Sequence, residues 1–244
     1  MIKEAMEKVE SYVKDTFLVK VGDRDFSSRD LKPVIWTPLA TTLTVHTLSG
    51  ITDYVGRNID TKLMEKQFIH VLDVATVSLV SSLVGDDRRR EKLLECVMDK
   101  SLESFPFGKF MAQEEFAIKF RSLIEKQEGD DSEYVLTLTS KLSGGTAIET
   151  ADDGITQKVE VSRGIKSSLK TEETTKAIVK LAPFRTFREI PQVKSDFLLR
   201  IRLSGDDEPQ VALFEADGGS WRHEAILRIG EYFRNRFPKM LVIA

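Results

Sequence analysis

The hydrophobic period of this chain changes once, close to residue 133, and that change constrains the fold more than any other feature. Upstream, apolar residues recur at helical spacing: Ile2, Met6, Val9 and Val13 in one segment, Phe116, Phe120, Leu123 and Ile124 in another. Downstream the period falls to two. Tyr134, Leu136 and Leu138 face one way with threonines between them, and Phe197, Leu199, Ile201 and Leu203 repeat the pattern. Alternation of this kind puts successive side chains on opposite faces of a strand. Strands joined by short Gly/Asp turns pair as hairpins, with helices left at the ends. The fold class expected is therefore α+β, with a predominantly antiparallel sheet in the C-terminal half, flanking helices and a C-terminal helix.

Within that frame the spacing predicts a helix over 1–14 and a strand over 16–21, closed by Gly22-Asp23. Thr37-Pro38-Leu39 reads as a helix start, a capping hydroxyl followed by proline at the first helical position. Leu39, Leu43, His46, Gly50, Ile51 and Tyr54 then share a face, and the helix is expected to end near Arg57-Asn58. Strands are expected over 68–72 and 74–83, residues 92–98 fit strand or helix equally, and 113–126 reads as a helix. Further strands are expected at 134–138, 159–161, 178–181, 197–203 and 210–214, with turns at 143–146 and 152–154. Gly218-Gly219-Ser220 opens a last helix, in which Trp221, Ala225, Ile229 and Phe233 recur every four residues.

A chain of 244 residues can bury a full core without a metal or a disulfide, and 1–244 is read as a single domain. The polar stretch 128–133 marks one internal boundary, between a helix-and-strand half, 1–128, and a β-rich half with a terminal helix, 129–244. Net charge is −3 overall, −2 in the first half and −1 in the second. Neither half is a basic nucleic-acid domain or an acidic tail. Cys96 is the only cysteine, which excludes an intrachain disulfide and fits a reducing compartment. The N-terminal segment mixes charge with apolar residues, unlike a signal peptide. The apolar-leaning run 74–84 falls far short of the roughly 20 residues a membrane span needs. A soluble cytoplasmic protein with no membrane contact is expected.

Three Gly-Asp-Asp triplets, at 85–87, 129–131 and 205–207, spell the metal-binding signature of some polymerases, and adjacent carboxylates can hold Mg²⁺. Each triplet, like the near-copy Asp152-Asp153-Gly154, lies between periodic segments, where Asp and Gly supply turn hydrogen bonds and positive φ. They are read as turns, and no metal site is assigned. His46, His70 and His223 have no metal-ligand spacing, and His46 falls on the apolar stripe of its expected helix, as a hydrogen-bonded core histidine would. Cys96, beside Val97 and Met98, reads as an inert buried thiol, a Cys–His pair with His70 or His223 being the alternative. The sequence contains no G-x-S-x-G elbow, Walker loop or G-x-G-x-x-G fingerprint. No catalytic residue and no cofactor are expected.

The basic residues near the C-terminus are more informative. On the strand 197–203 the apolar residues share one face, which leaves Arg200 and Arg202 on the other. Residues 185–202 carry five basic and two acidic side chains, and so do residues 221–239. Arg185, Arg188, Arg200, Arg202 and Arg228 are thus the candidate contacts to an anion or to single-stranded nucleic acid, with Phe184, Phe187, Trp221 and Tyr232 as nearby rings. The alternative is two solvated faces that never meet, or an anion-facing subunit contact. The segment Met240-Leu241-Val242-Ile243-Ala244 is wholly apolar. Leu241, Val242 and Ile243 are candidates for self-association, as a short strand or anchor on their own sheet or on a neighbouring subunit.

Several short motifs recur in order along the chain: Phe116-Ala117-Ile118-Lys119-Phe120, Ser143-Gly144-Gly145-Thr146, Asp152-Asp153-Gly154, Leu181-Ala182-Pro183-Phe184-Arg185, and Phe197 to Leu203, followed by a closing helix. Upstream, Leu48 to Asp60 adds a helix leading into an Asn-Asp turn. In this order the chain resembles the YfdQ-like proteins, a family encoded by tailed phages and prophages. The resemblance implies phage origin and expression in the cytoplasm of a bacterial host, and it brings no active site with it. The expected function is that of a non-enzymatic phage accessory protein acting by binding, as a homo-oligomer. Its expected partners are itself, single-stranded nucleic acid, or a host or phage protein. The alternatives are a nucleic-acid-binding helper of phage recombination or replication, and a hydrolase with an unfamiliar acidic site.

Overall fold

The computed structural model describes residues 2–14, 18–21, 24–27, 40–57, 67–83, 88–99, 101, 103–142, 146–152, 157–163, 171–174, 176–205 and 208–244. The chain divides into a small unit, residues 1–39 with 85–88, and a large unit, residues 40–84 with 89–244. In the small unit, helix α1 (Ile2–Lys14) precedes an antiparallel hairpin of β1 (Leu18–Val21) and β2 (Arg24–Ser27). The helix read over 1–14 is present, with Ile2 and Met6 exposed.

The large unit is built on two five-stranded sheets. The first has the order β15-β4-β5-β6-β3, from strands β3 (Leu43–Val45), β4 (Gln67–Asp73), β5 (Thr76–Ser81), β6 (Lys92–Val97) and β15 (Leu241–Ile243). The alternating residues Ile69, Val71, Val77, Leu79, Leu94 and Cys96 supply one buried face. Helices α2 (Leu48–Gly56) and α5 (Trp221–Arg236) pack into the same core through Leu48, Ile51, Tyr54 and Val55 and through Ile229, Tyr232 and Phe233. Each buried large apolar side chain there is worth about 1.5–3 kcal/mol of transfer free energy.

The second sheet is wholly antiparallel in the order β7-β14-β13-β12-β8. Its strands are β7 (Met111–Ala112), β8 (Ile124–Glu125), β12 (Ile178–Pro183), β13 (Ser195–Leu203) and β14 (Pro209–Glu215). Helices α3 (Gln113–Leu123) and α4 (Ser132–Lys141) bury Phe116, Phe120, Leu123, Val135 and Leu138 against Val179, Leu181, Phe197, Leu199, Ile201, Val211 and Leu213. Strands β9 (Thr146–Asp152), β10 (Gln157–Arg163) and β11 (Thr171–Thr174) form a separate antiparallel meander. With five helices and two mostly antiparallel five-stranded sheets among the described residues, the fold is α+β.

The polar stretch at 128–133 does not separate the two cores. Helix α3 precedes it yet packs with β12–β14, whereas α5 and β15 follow it yet pack with β4–β6. Both cores draw on both halves of the chain.

Several local readings are corrected. The helix expected from Thr37 begins instead at Leu48, and residues 43–45 form β3, parallel to β6. Thr47 is the real N-cap: its backbone is extended and its hydroxyl accepts the Gly50 N–H at 3.2 Å. Gly50 lies close against β3 there, where a Cβ would come within 3.0 Å of the Cβ of Val45. His46 precedes the helix and is exposed, its Nδ1–H donating to the Val97 carbonyl at 2.8 Å, so it is not a core histidine.

The strand expected at 134–138 is helix α4. Val135, Leu138, Thr139 and Leu142 are buried, the i, i+3, i+4, i+7 pattern that the interleaved threonines disguise. The helix read over 113–126 stops at Leu123, where Ile124 turns extended to pair with Pro183. Residues 92–98, open between strand and helix, contain β6. The turn readings at 85–87, 143–145, 153–154 and 206–207 lie outside the described residues. At 129–131 the turn is seen directly. Gly129 has φ +72°, and the Asp130 carboxylate accepts the N–H groups of Gln127 and Ser132 at 2.7 and 2.9 Å.

Candidate functional site

Chain segment 184–194 links β12 to β13 by way of the first core, where Phe187 and Ile190 are buried. A loop taken through a core must satisfy its own backbone, and Gln192, 1% exposed, does that here. Its Oε1 accepts the N–H groups of Arg185 and Thr186, at 3.1 and 3.3 Å. Its Nε2 donates to the carbonyls of Phe187 and Ile190, at 3.1 and 3.2 Å. The loop is tied outward as well. The Thr186 hydroxyl donates to the Val74 carbonyl, and the Glu189 carboxylate accepts the Ser49 N–H in the first turn of α2 at 3.0 Å.

Arg185 stands at the root of this loop with its side chain 6% exposed. Its guanidinium donates to Glu215 at 2.7 Å and to the Ser195 hydroxyl at 2.5 Å. It also lies 4.0 Å over the Trp221 ring and within 6 Å of Phe107 and Phe197. Burial draws its pKa below the ordinary arginine value, against the pull of the Glu215 carboxylate, but the group stays a cation. Asp217 closes the network by accepting the N–H groups of Gly219 and Trp221 at the start of α5. Of the five arginines selected from the sequence, Arg185 is thus the one fully occupied inside the fold.

The opposite face of the second sheet is built differently. In register, Arg200 lies beside Ala212 and Arg202 beside Gln210, while Leu198 sits between Ile178 and Phe214 and Asp196 opposes Lys180. These residues point away from the face on which α3 and α4 pack. Arg202 is exposed and its guanidinium lies 3.9 Å over the ring of Phe110, which precedes β7. Phe110 in turn meets Phe214 edge-on at 6.0 Å. Ile178 is 54% exposed, and Leu198, Arg200 and Phe214 are half-buried. The result is a sheet face with two rings, two apolar side chains and three cations against one carboxylate.

The structure therefore brings Arg200 and Arg202 together and places the other three elsewhere. Arg188 stacks on Phe184 at 4.3 Å, and Arg228 is bonded to Glu224 and to the carbonyls of Pro191 and Gln192. The rings expected beside the cations do not form the strip: Phe187, Trp221 and Tyr232 are buried. Phe110 and Phe214 take their place, and only the strand pairing reveals them.

The apolar C-terminal segment forms β15, which runs parallel to β4 at the edge of the first sheet. Val242 is buried, whereas Leu241 and Ile243 are 62% and 45% exposed. A Cβ on Gly230 would lie 2.7 Å from the Cβ of Ala244, so α5 and this strand touch closely. The segment packs on its own sheet, and two of its three large side chains stay outside.

Cys96 is buried in the first core, and burial, with the nearby Glu189 charge, pushes its pKa up to about 12. A thiol so far from its thiolate is a poor nucleophile. No cluster of metal-binding side chains occurs among the described residues, and no helix among them is long and apolar enough to cross a membrane. No protein-family model, curated protein or solved structure matches this chain.

Proposed function

We propose that this chain is a non-catalytic binding protein whose ligand surface is the Arg200–Arg202 face of the second sheet, and that the ligand class is single-stranded nucleic acid. In the bacterial cytoplasm, as a phage accessory protein of the kind the YfdQ-like resemblance implies, such a surface suits a helper of recombination or replication. The observation that carries the reading is the Arg202 guanidinium lying 3.9 Å over Phe110, beside Phe214, on an outward sheet face. Aromatic side chains with adjoining cations accept bases and phosphates of any sequence, each base stacked on a ring contributing about 1–3 kcal/mol.

Anisotropy of a labelled oligothymidylate against salt tests it. Binding is expected to weaken with a log–log slope of about −0.7 per phosphate contact. The double variant Arg200→Ala/Arg202→Ala is expected to make that slope shallower by about 1.4. Failure to bind any single strand at low salt sinks the reading.

The β15 edge supports a second reading, self-association. Its outer side is an end of the sheet with no proline or lysine within Leu241–Ile243, and it carries two exposed apolar side chains. Light scattering is expected to report a multimer that Ile243→Lys reduces. A monomeric full-length protein excludes this second reading.

A further inference from the structure

A cavity of about 260 Å³ opens between residues 103–107 and the start of the 184–194 segment, and it is lined by Met98, Phe105, Phe107, Phe184, Arg188 and Trp221 among others. Its volume lies just below the usual ligand-pocket range of about 300–1,000 Å³, which suits a ligand of one small ring. Four of its ten described lining residues are aromatic, so a flat apolar group is the body they accept.

The charges around it settle what that group must carry. Arg185, on the wall, is neutralised by Glu215 at 2.7 Å. Glu103, also on the wall, is paired with Lys119. Among the described residues Arg188 is left as the wall's one cation without a carboxylate partner, exposed at the rim with its guanidinium carbon 4.3 Å from the centre of the Phe184 ring. A guanidinium placed in this way offers parallel N–H donors that fit a carboxylate in two-point contact.

We infer that this cavity is a binding site for a small aromatic carboxylate, whose ring enters between Phe105, Phe107, Phe184 and Trp221 and whose carboxylate pairs with Arg188. The site is separate from the sheet face carrying Arg200 and Arg202, and neither depends on the other.

The test uses the full chain labelled with ¹⁵N and titrated with phenylacetate. The reporter is the indole N–H of Trp221, which the Trp36→Phe variant distinguishes from the only other tryptophan. The expected result is a saturable shift of the Trp221 signal in the millimolar range, while benzylamine, the same ring with the opposite charge, gives none. Arg188→Ala, at an exposed position, is expected to weaken binding about tenfold by removing one charge-assisted contact, and Arg188→Lys to restore part of it. Ser104→Trp, at an exposed wall position, blocks entry and abolishes the shift. An unsaturable response, equal binding of benzylamine, or full binding by Arg188→Ala in a folded protein overturns the inference.

Discussion

Two regions of this molecule set an arginine on an aromatic ring, at nearly the same distance and for opposite ends. Arg185 lies 4.0 Å over Trp221 and Arg202 lies 3.9 Å over Phe110. Around Arg185 water is excluded and every strong interaction is internal: a carboxylate, a hydroxyl and three rings. Removing a buried charge's partner is costly, because the remaining group cannot return to water. Around Arg202 the one polar side-chain partner among the described residues is Gln210 at 3.0 Å, and solvent reaches the guanidinium. Such a group costs the fold little and remains free to meet a ligand. The contact chemistry is shared. Access to water commits one arginine to structure and leaves the other open to the proposed ligand.

The largest expected effect tests that division at its buried end. Glu215→Ala strands the buried Arg185 guanidinium and should lower the free energy of unfolding by about 3–5 kcal/mol in urea melts. A loss below about 1 kcal/mol would show the network to be decoration. A double-mutant cycle with Arg185→Ala then isolates the pair itself.

An intermediate effect sharpens the comparison through pH. Burial pushes the Asp217 carboxyl up, but the N–H groups of Gly219 and Trp221, the Ser195 hydroxyl and the Arg185 charge outweigh it and hold it below the usual carboxylate range. Its ionised form therefore stabilises the fold. That contribution is complete above the unfolded value, near pH 4, and is lost as pH falls through the lowered native value. Asp217→Asn should cost about 1 kcal/mol at neutral pH, as loss of a helix cap does, and should flatten the acid limb of the stability profile. An unchanged acid limb would disconnect Asp217 from the network.

The smallest effect lies at the open end. Arg202→Ala should leave stability within about 0.5 kcal/mol of the parent while reducing affinity for single strands. A loss of several kcal/mol there would erase the distinction between the two regions.

These arginines also show what the sequence could reveal. The alternation through β13 placed Arg200 and Arg202 on one face, because a strand's period alone decides that. The four-residue recurrence of Trp221, Ala225, Ile229 and Phe233 likewise gave α5 its buried stripe. Arg185 reads the same as Arg202 until Glu215 and Trp221, some 30 residues away or more, are brought beside it. No local pattern encodes that meeting. Helix α4 was hidden for a different reason: in Tyr134–Thr139 the apolar residues satisfy two periods at once, and packing against β12 selects the helical one. The start of α2 was misplaced because Thr37 and Thr47 are equally good caps by type, and only the pairing of β3 with β6 decides between them.

The order in which the first core is assembled has a consequence for synthesis. Strands β3 to β6 emerge from the ribosome together, but α5, which completes their core, follows about 120 residues later. At cellular rates of elongation that interval lasts roughly 6–25 s. Throughout it, Ile69, Val71, Val77 and Leu79 lack the cover of Ile229 and Phe233, while the second core needs nothing beyond β14 to close. The nascent chain is thus expected to fold its middle before its beginning, and to depend on holding chaperones for the part that was made first.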